Sequence, residues 1–493
     1  MSDYQDLDLN SLIGICVDGA SNMIGCRHTM TSKIVEKYQS VIIVHCCTHR
    51  LNLASLDSIN SRDLQPLRHA EAIVQQLWHF FVASPLHAAI LAEIQSQNEQ
   101  DYLKLKSVVP TRWLSCWESV VAAIVDLPSI WIALDRIWNS KYDSTANGLL
   151  NQTKRKQFIL SLFILKSVLQ QLKILSLVFQ QGSLTFDQVP ASIQTCKAEL
   201  LKIKTSQEII EQTRKQWPIY EAELLKFIQK EIEEREQNRK ISAKKNDKKE
   251  QERIQKEKEE FDEKKAACKL DEDDINWQLK ISNIYIDETI DHINKRLDNQ
   301  KFISNFSIFN PQFATLNINN ENYGNNEVLI LKSHFNKQLQ HLKDEEVLKE
   351  WRAIKQQLIL NLNQLETNQA CLRIATHPSY STFPAFKFLA QACLTLPIDN
   401  CWPERGFSHM KRIKTPSRNR LGTNMLQYLM NIKMNGWPKL TGIKALEIAE
   451  FWYKEKDRRT SWKKASETET LEEQIPFEQL KLNINEVSEF IFE

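Results

Sequence analysis

The sequence predicts a mixed α/β fold that is mostly helical, and three observations lead there. The chain has 493 residues but only 10 glycines, and its long stretches rich in Leu, Ile, Gln, Lys and Glu favour helix over sheet. Two short apolar runs near the amino end, "LIGICV" (Leu12 to Val17) and "SVIIVHCC" (Ser40 to Cys47), read as strands. The segment between them, "SNMIGCRHTMTSKIVEKY", has the pattern of a crossover helix. Together they make a βαβ unit, whose strands must run parallel.

The remaining elements follow in order. From "HRLNLASLDSI" through "AEAIVQQLWHFFVASPLHAAILAEIQ" the apolar period is helical, and after "VVPTRWLSCWESVVAAI" (Val108 to Ile124) a long segment carries no convincing strand. Its most apolar window, "FILSLFILKSVLQQLKILSLVF" (Phe158 to Phe179), is interrupted by Lys166, Gln170, Gln171 and Lys173. It therefore reads as a core helix and not a membrane span. Residues 226–270 mix both charges with few apolar positions, which predicts a solvated helix or a partly disordered arm. "NINNENYGNNE" (Asn317 to Glu327) is an Asn-rich loop, and a second well-patterned region runs from Tyr380 to Pro438.

A chain this long exceeds what one core usually holds. The expected organisation is an α/β core over 1–116, a helical insertion over 117–370 with its charged arm near 226–270, a carboxyl-terminal region over 371–440, and an acidic helical tail over 441–493. Lys plus Arg number 64 against 62 for Asp plus Glu, so no global electrostatic footprint for nucleic acid exists. The 10 cysteines have no regular spacing, and "MSDYQDLDLN" lacks the cationic start and apolar run of a signal peptide. Reduced thiols inside a cell are expected.

Three constellations carry chemistry. In "GICVDGASNM", Asp18 ends a strand, where side chains face the crevice that holds ligands in parallel sheets; it is equally suited to cap a helix beginning near Ala20. In "HCCTHRLNLA", Cys46 and His49 form a C-x-x-H pair flanked by His45 and Cys47. That supplies two zinc ligands where a structural site needs four, and Cys26 with His28 is not fixed in range, so zinc is not expected. In "PERGFSHMKRIK", Pro403 suits the first turn of a helix and places Glu404 near its amino end, held ionised by the dipole. Arg405, Lys411, Arg412, Lys414, Arg418 and Arg420 make the most basic stretch outside the arm, either a phosphate-facing surface or a solvated face.

The order and wording of "DGASNM", "CCTHRLNL", "TRWLS" and "FP…LA…LP…ERGFSHMKRIKTPSRNRL" resemble the hAT family of DNA transposases, over about Leu12 to Leu114 and Tyr380 to Pro438. The resemblance implies a partial RNase H-like core interrupted by a large helical insertion. In that family two Asp and one Glu hold divalent metal; Asp18 matches the second Asp and Glu404 the Glu, with Mg or Mn as the implied ion. Cys46 and His49 match a pair beside the active site, and Trp113 matches an aromatic that stacks on a flipped base. The helices bearing Phe383, Phe386, Leu389, Leu394, Phe407, Leu421, Leu426 and Leu429 match the dimerisation region. The implied partners are a second copy or a related chain, and DNA; the implied compartment is the nucleus.

The departures from the family matter as much. Its first Asp has no good counterpart, since Asp3, Asp6 and Asp8 sit in a polar lead, and the paired Cys and His of an amino-terminal zinc finger are missing from the sequence. The expectation is a transposase-derived, dimerising protein that is catalytically incomplete. Its rivals are a working transposase whose amino-terminal part lies outside this chain, and a helical interaction scaffold.

Overall fold

The structure, a computed structural model, describes residues 11–24, 28–97, 116–181, 184–242, 248–297, 302–436 and 442–454. It divides into two units, Met1–Asn400 and Cys401–Glu493. The expected acidic tail is described only as far as residue 454, and Cys26 and Trp113 lie outside the described residues.

Strands β1 (Gly14–Val17) and β2 (Ile42–His45) pair in parallel, with Gly14 opposite Ile42 and Val17 opposite His45. The crossover helix between them is shorter than its pattern suggested. Among the described residues of that segment α1 (Met30–Lys37) alone is helical; Thr29 caps it, accepting from the Ser32 N–H while the Ser32 hydroxyl accepts in return from the Thr29 N–H. The residues after Asp18 form turns instead. The sheet is covered by the segment near residue 396: a Cβ on Gly14 would sit 2.6 Å from Leu396, and the Cys47 N–H donates to the Ile398 carbonyl at 3.2 Å. Glycine at position 14 is what lets that segment close down on the strand.

The rest of the first unit is helical: α2 (Cys47–Ile59), α3 (Gln65–Val82), α4 (Pro85–Gln97), α5 (Cys116–Lys141), α6 (Ser144–Thr153), α7 (Lys156–Phe179), α8 (Gln188–Ser206), α9 (Glu208–Ser242), α10 (Lys248–Ala267), α11 (Glu272–Leu297), α12 (Pro311–Leu316), α13 (Asn325–His334), α14 (Asn336–Leu339), α15 (Asp344–Leu360), α16 (Thr367–Thr376) and α17 (Pro384–Thr395). As its composition predicts, α7 is apolar all round, and its neighbours α2, α3, α5, α8, α9 and α11 enclose it. It is the single described helix that is by itself long and apolar enough to cross a membrane, and it is a buried core helix. Several polar groups that enter this core are bonded: the Gln278 amide N–H donates to the Leu160 carbonyl and to Thr213, and the Tyr220 hydroxyl donates to the Ile124 carbonyl at 2.8 Å.

One apolar core runs from Ile42 to Ile398, and residues 117–370 share it with the βαβ unit. The division falls at Asn400/Cys401, which leaves α16 and α17 in the first unit. Pro384 opens α17, and the Glu350 carboxylate caps it by accepting the Ala385 and Phe386 N–H groups.

The charged arm is ordered where it is described. Glu231 pairs with Lys264 at 3.1 Å and Arg235 with Glu260 at 3.6 Å, which sets α9 and α10 antiparallel. The buried Phe261 ring lies beneath both Arg235 and Lys264, so the pairs have an apolar floor. Charges that look merely solvated along each helix are matched between helices.

The second unit comprises α18 (Cys401–Ile413), α19 (Thr423–Asn435) and α20 (Gly442–Lys454). The first two form a hairpin whose close approach is at Gly406, where an added Cβ would meet Met434 at 3.7 Å and Met430 at 3.9 Å.

Candidate functional site

The parallel register builds a site at the carboxyl ends of β1 and β2. Val17 lies opposite His45, so the residues that follow each strand, Asp18 and Gly19 on one side and Cys46 on the other, emerge at the same edge. Helix α2 starts there, with Cys46 at its cap position and His49 in its first turn. The His45 and His49 Nε2 atoms both approach Gly19: a Cβ at that position would lie 2.9 Å from the first and 3.1 Å from the second. Glycine makes room for the two rings, whose centroids are 5.8 Å apart.

His45 Nε2 is buried and has no hydrogen-bond partner among the described residues. Burial, reinforced by the positive charges of Arg50 and Arg296, pushes the His45 pKa down to about 4, with Asp18 acting weakly in the opposite sense. The ring is therefore neutral at physiological pH and offers a lone pair for a proton or a cation. Asp18 folds back on its own turn, its Oδ1 accepting the Ala20 N–H at 3.2 Å. It caps this turn and not a helix, which corrects the expectation of a helix beginning near Ala20.

The buried Cys46 thiol hydrogen-bonds with the Cys16 thiol, which raises the Cys16 pKa and lowers that of Cys46, while His49 turns toward Gly19. Among the described residues the group whose ligand atoms all lie within 4.8 Å of one another is elsewhere, Glu288, Asp291 and His292 on α11. Asp291 there pairs with Lys295, and His292 sits 3.8 Å from Asp57 of α2, which also receives Arg296. These groups satisfy one another as an inter-helix ion network, and the "ETIDH" spacing that makes it was legible in the sequence but passed over.

Glu404 lies in the first turn of α18 as expected, exposed at the surface of the second unit. Arg405, Lys411, Arg412, Lys414, Arg418 and Arg420 are all exposed, with the Arg405 guanidinium over the Trp402 ring at 5.2 Å. The residues assigned to dimerisation part company. Phe386 and Leu389 are fully buried in the first unit, Phe383 is half-buried there, and Leu394 is partly exposed. Leu421, Leu426 and Leu429 are half-buried, while Phe407 is 61% exposed. Phe386 and Leu389 are therefore removed from any association surface, because their faces are spent on Trp351 and the surrounding core. Other large apolar side chains of the second unit are exposed: Trp402, Tyr428, Ile432 and Phe451 are 54%, 64%, 69% and 66% exposed.

No protein-family model matches the chain.

Proposed function

We propose that this chain is a protein derived from an hAT transposase whose carboxyl-terminal helices pair with a second copy of itself. The observation that carries the reading is the exposed apolar side chains of the second unit: Met425, Tyr428 and Ile432 recur at helical spacing on α19, and Trp402 and Phe407 are exposed on α18. Burying these five side chains is worth about 1.5–3 kcal/mol each, which offsets the several kcal/mol that association costs. The parallel β1–β2 pair with a carboxylate at its end is what an RNase H-like core would contribute. Asp18 and Glu404 are the carboxylates of that reading, of the chemical type that hard cations such as Mg or Mn take. The exposed basic residues Arg405 to Arg420 are its phosphate-contacting surface for DNA, and the nucleus is its compartment.

Hydrogen exchange tests the pairing locally. Between nanomolar and tens of micromolar protein, amides of α18 and α19 are expected to gain protection while those of α7 stay unchanged. Exchange in α18 and α19 that is independent of concentration would remove the basis for the reading.

A further inference from the structure

We propose that Thr415, in the connection between α18 and α19, is a phosphorylation site for a proline-directed Ser/Thr kinase, and that the flanking cations hold the phosphate it receives. The inference is independent of the reading above. Ser or Thr precedes Pro at two places in the chain, Ser84-Pro85 and Thr415-Pro416. Kinases of this class select an acceptor followed by Pro and favour Lys or Arg three residues after it, where their own anionic groups accept a charged partner. Arg418 stands at that position after Thr415, and His87 stands there after Ser84.

The local folds separate the two. Pro416 disfavours the helical region for the residue before it, and Thr415 is extended at φ −83° and ψ 165°, the backbone that a kinase cleft takes. α18 has ended at Ile413 and α19 begins only at Thr423, with the single 3-10 turn Pro416–Arg418 between them, so no α-helix has to unwind. The Thr415 hydroxyl, on a half-buried residue, lies 2.9 Å from that of Ser417, a surface hydrogen bond whose loss costs little. Ser84 is held in place by contrast. Its Oγ accepts the His87 N–H at 3.3 Å, Pro85 is already the first residue of α4, and the His87 ring stacks on Phe80 with centroids 4.4 Å apart. Phosphorylating Ser84 would require the first turn of α4 to open.

The charge around Thr415 is one-sided. Between Cys401 and Gly436 seven Lys and Arg stand against a single carboxylate, Glu404. Arg412, Lys414, Arg418 and Arg420 lie within five residues of Thr415, are exposed, and form no ion pair among the described residues. Arg418 is drawn back to the acceptor by its own N–H, which donates to the Thr415 carbonyl at 2.8 Å. In the transfer the Thr415 Oγ1 forms a bond to the γ-phosphorus of ATP, the bond from that phosphorus to the ADP oxygen breaks with its electron pair, and the hydroxyl proton passes to the kinase's catalytic carboxylate. The product carries about two negative charges at neutral pH, which the guanidinium and ammonium groups pair through charge-assisted hydrogen bonds.

The test incubates the full chain with ATP and a cyclin-dependent kinase and reads phosphopeptides by mass spectrometry. Thr415 is expected to be the main site, labelled about tenfold or more faster than Ser84, with Thr415→Ala removing its phosphopeptide and Arg418→Gln slowing it about fivefold or more. Phosphorus NMR of the product then reads the pairing. The phosphothreonine is expected to titrate at about pH 5.5, against an ordinary second pKa of about 6, and to return toward that value in Arg412→Gln/Arg420→Gln, which leaves the kinase motif intact. Label absent from Thr415, Ser84 labelled as fast, or a rate indifferent to Arg418→Gln would each overturn the assignment of the site. The same titration in the wild type and the double variant would overturn the pairing.

Discussion

Phe386→Asp is expected to unfold the first unit and not to dissociate an assembly. The Phe386 ring is fully buried, stacked on Trp351 at 5.5 Å with a 16° interplanar angle and edge-on to Phe309 at 6.0 Å. Trp351 is in turn locked by its indole N–H, which donates to the Tyr323 carbonyl at 2.8 Å, and by Gly324. That glycine adopts φ +81° and leaves no room for a Cβ against the indole. Removing the ring costs roughly 3–5 kcal/mol, and burying a carboxylate in its place adds several more, which together rival the whole stability of a domain. Circular dichroism should show a lost or strongly lowered melting transition for Phe386→Asp and a wild-type transition for Ile432→Asp. A Phe386→Asp protein that melts like the wild type would contradict the assignment of α17 to the core.

The second large effect is on the pH dependence of stability. Glu71 of α3 is buried, one of its oxygens has no partner among the described residues, and the other neighbours the buried Cys116 thiol. Desolvation lifts its pKa to about 8, so the folded chain holds a proton that the unfolded chain releases above the ordinary carboxylate value. Its stabilising contribution is complete at low pH and is lost as pH rises toward 8. Asp126, raised by burial to about 6, acts in the same sense at lower pH. His45, lowered to about 4, acts in the opposite sense, weakening the fold as pH falls below 6.5. Between pH 6.5 and 8.5 Lys154, lowered by burial to about 8, acts against Glu71, so the Glu71 share is read from the difference between proteins. Relative to Glu71→Gln, the wild type should lose about 2 kcal/mol more stability to urea across that window. An unchanged slope in the variant would show that Glu71 ionises in the folded state as it does in the unfolded one.

What the sequence disclosed and what it withheld divide along physical lines. The two strands and their parallel pairing were legible because short apolar runs around a polar-apolar helical segment leave few alternatives. The buried nature of α7 was legible because a helix apolar on every side must be enclosed. Where an amphipathic face is spent was not legible. Phe386 and Leu389 on α17 have the same spacing as the apolar positions of α18 and α19, and only the presence of Trp351 and Phe309 in the fold decides that the former are core. The arm misled for the same reason, since the pairs of Glu231 with Lys264 and Arg235 with Glu260 join residues far apart in the chain. At the strand ends, Asp18 and the C-x-x-H were visible as residue types. The approach of His45 and His49 to Gly19 depends on the register that sets Val17 opposite His45.

The dimer itself is tested most directly by sedimentation velocity, comparing the wild-type chain with a Phe407→Asp/Ile432→Asp double variant. Both positions are exposed, so the charges cost the folded protomer little and fall on any surface that α18 and α19 bury in association. The account predicts a wild-type dimer at micromolar concentration and a folded monomer for the variant, with dimer affinity reduced at least about a hundredfold. A wild-type chain that sediments as a monodisperse monomer at those concentrations, or a double variant that remains as dimeric as the wild type, would contradict it.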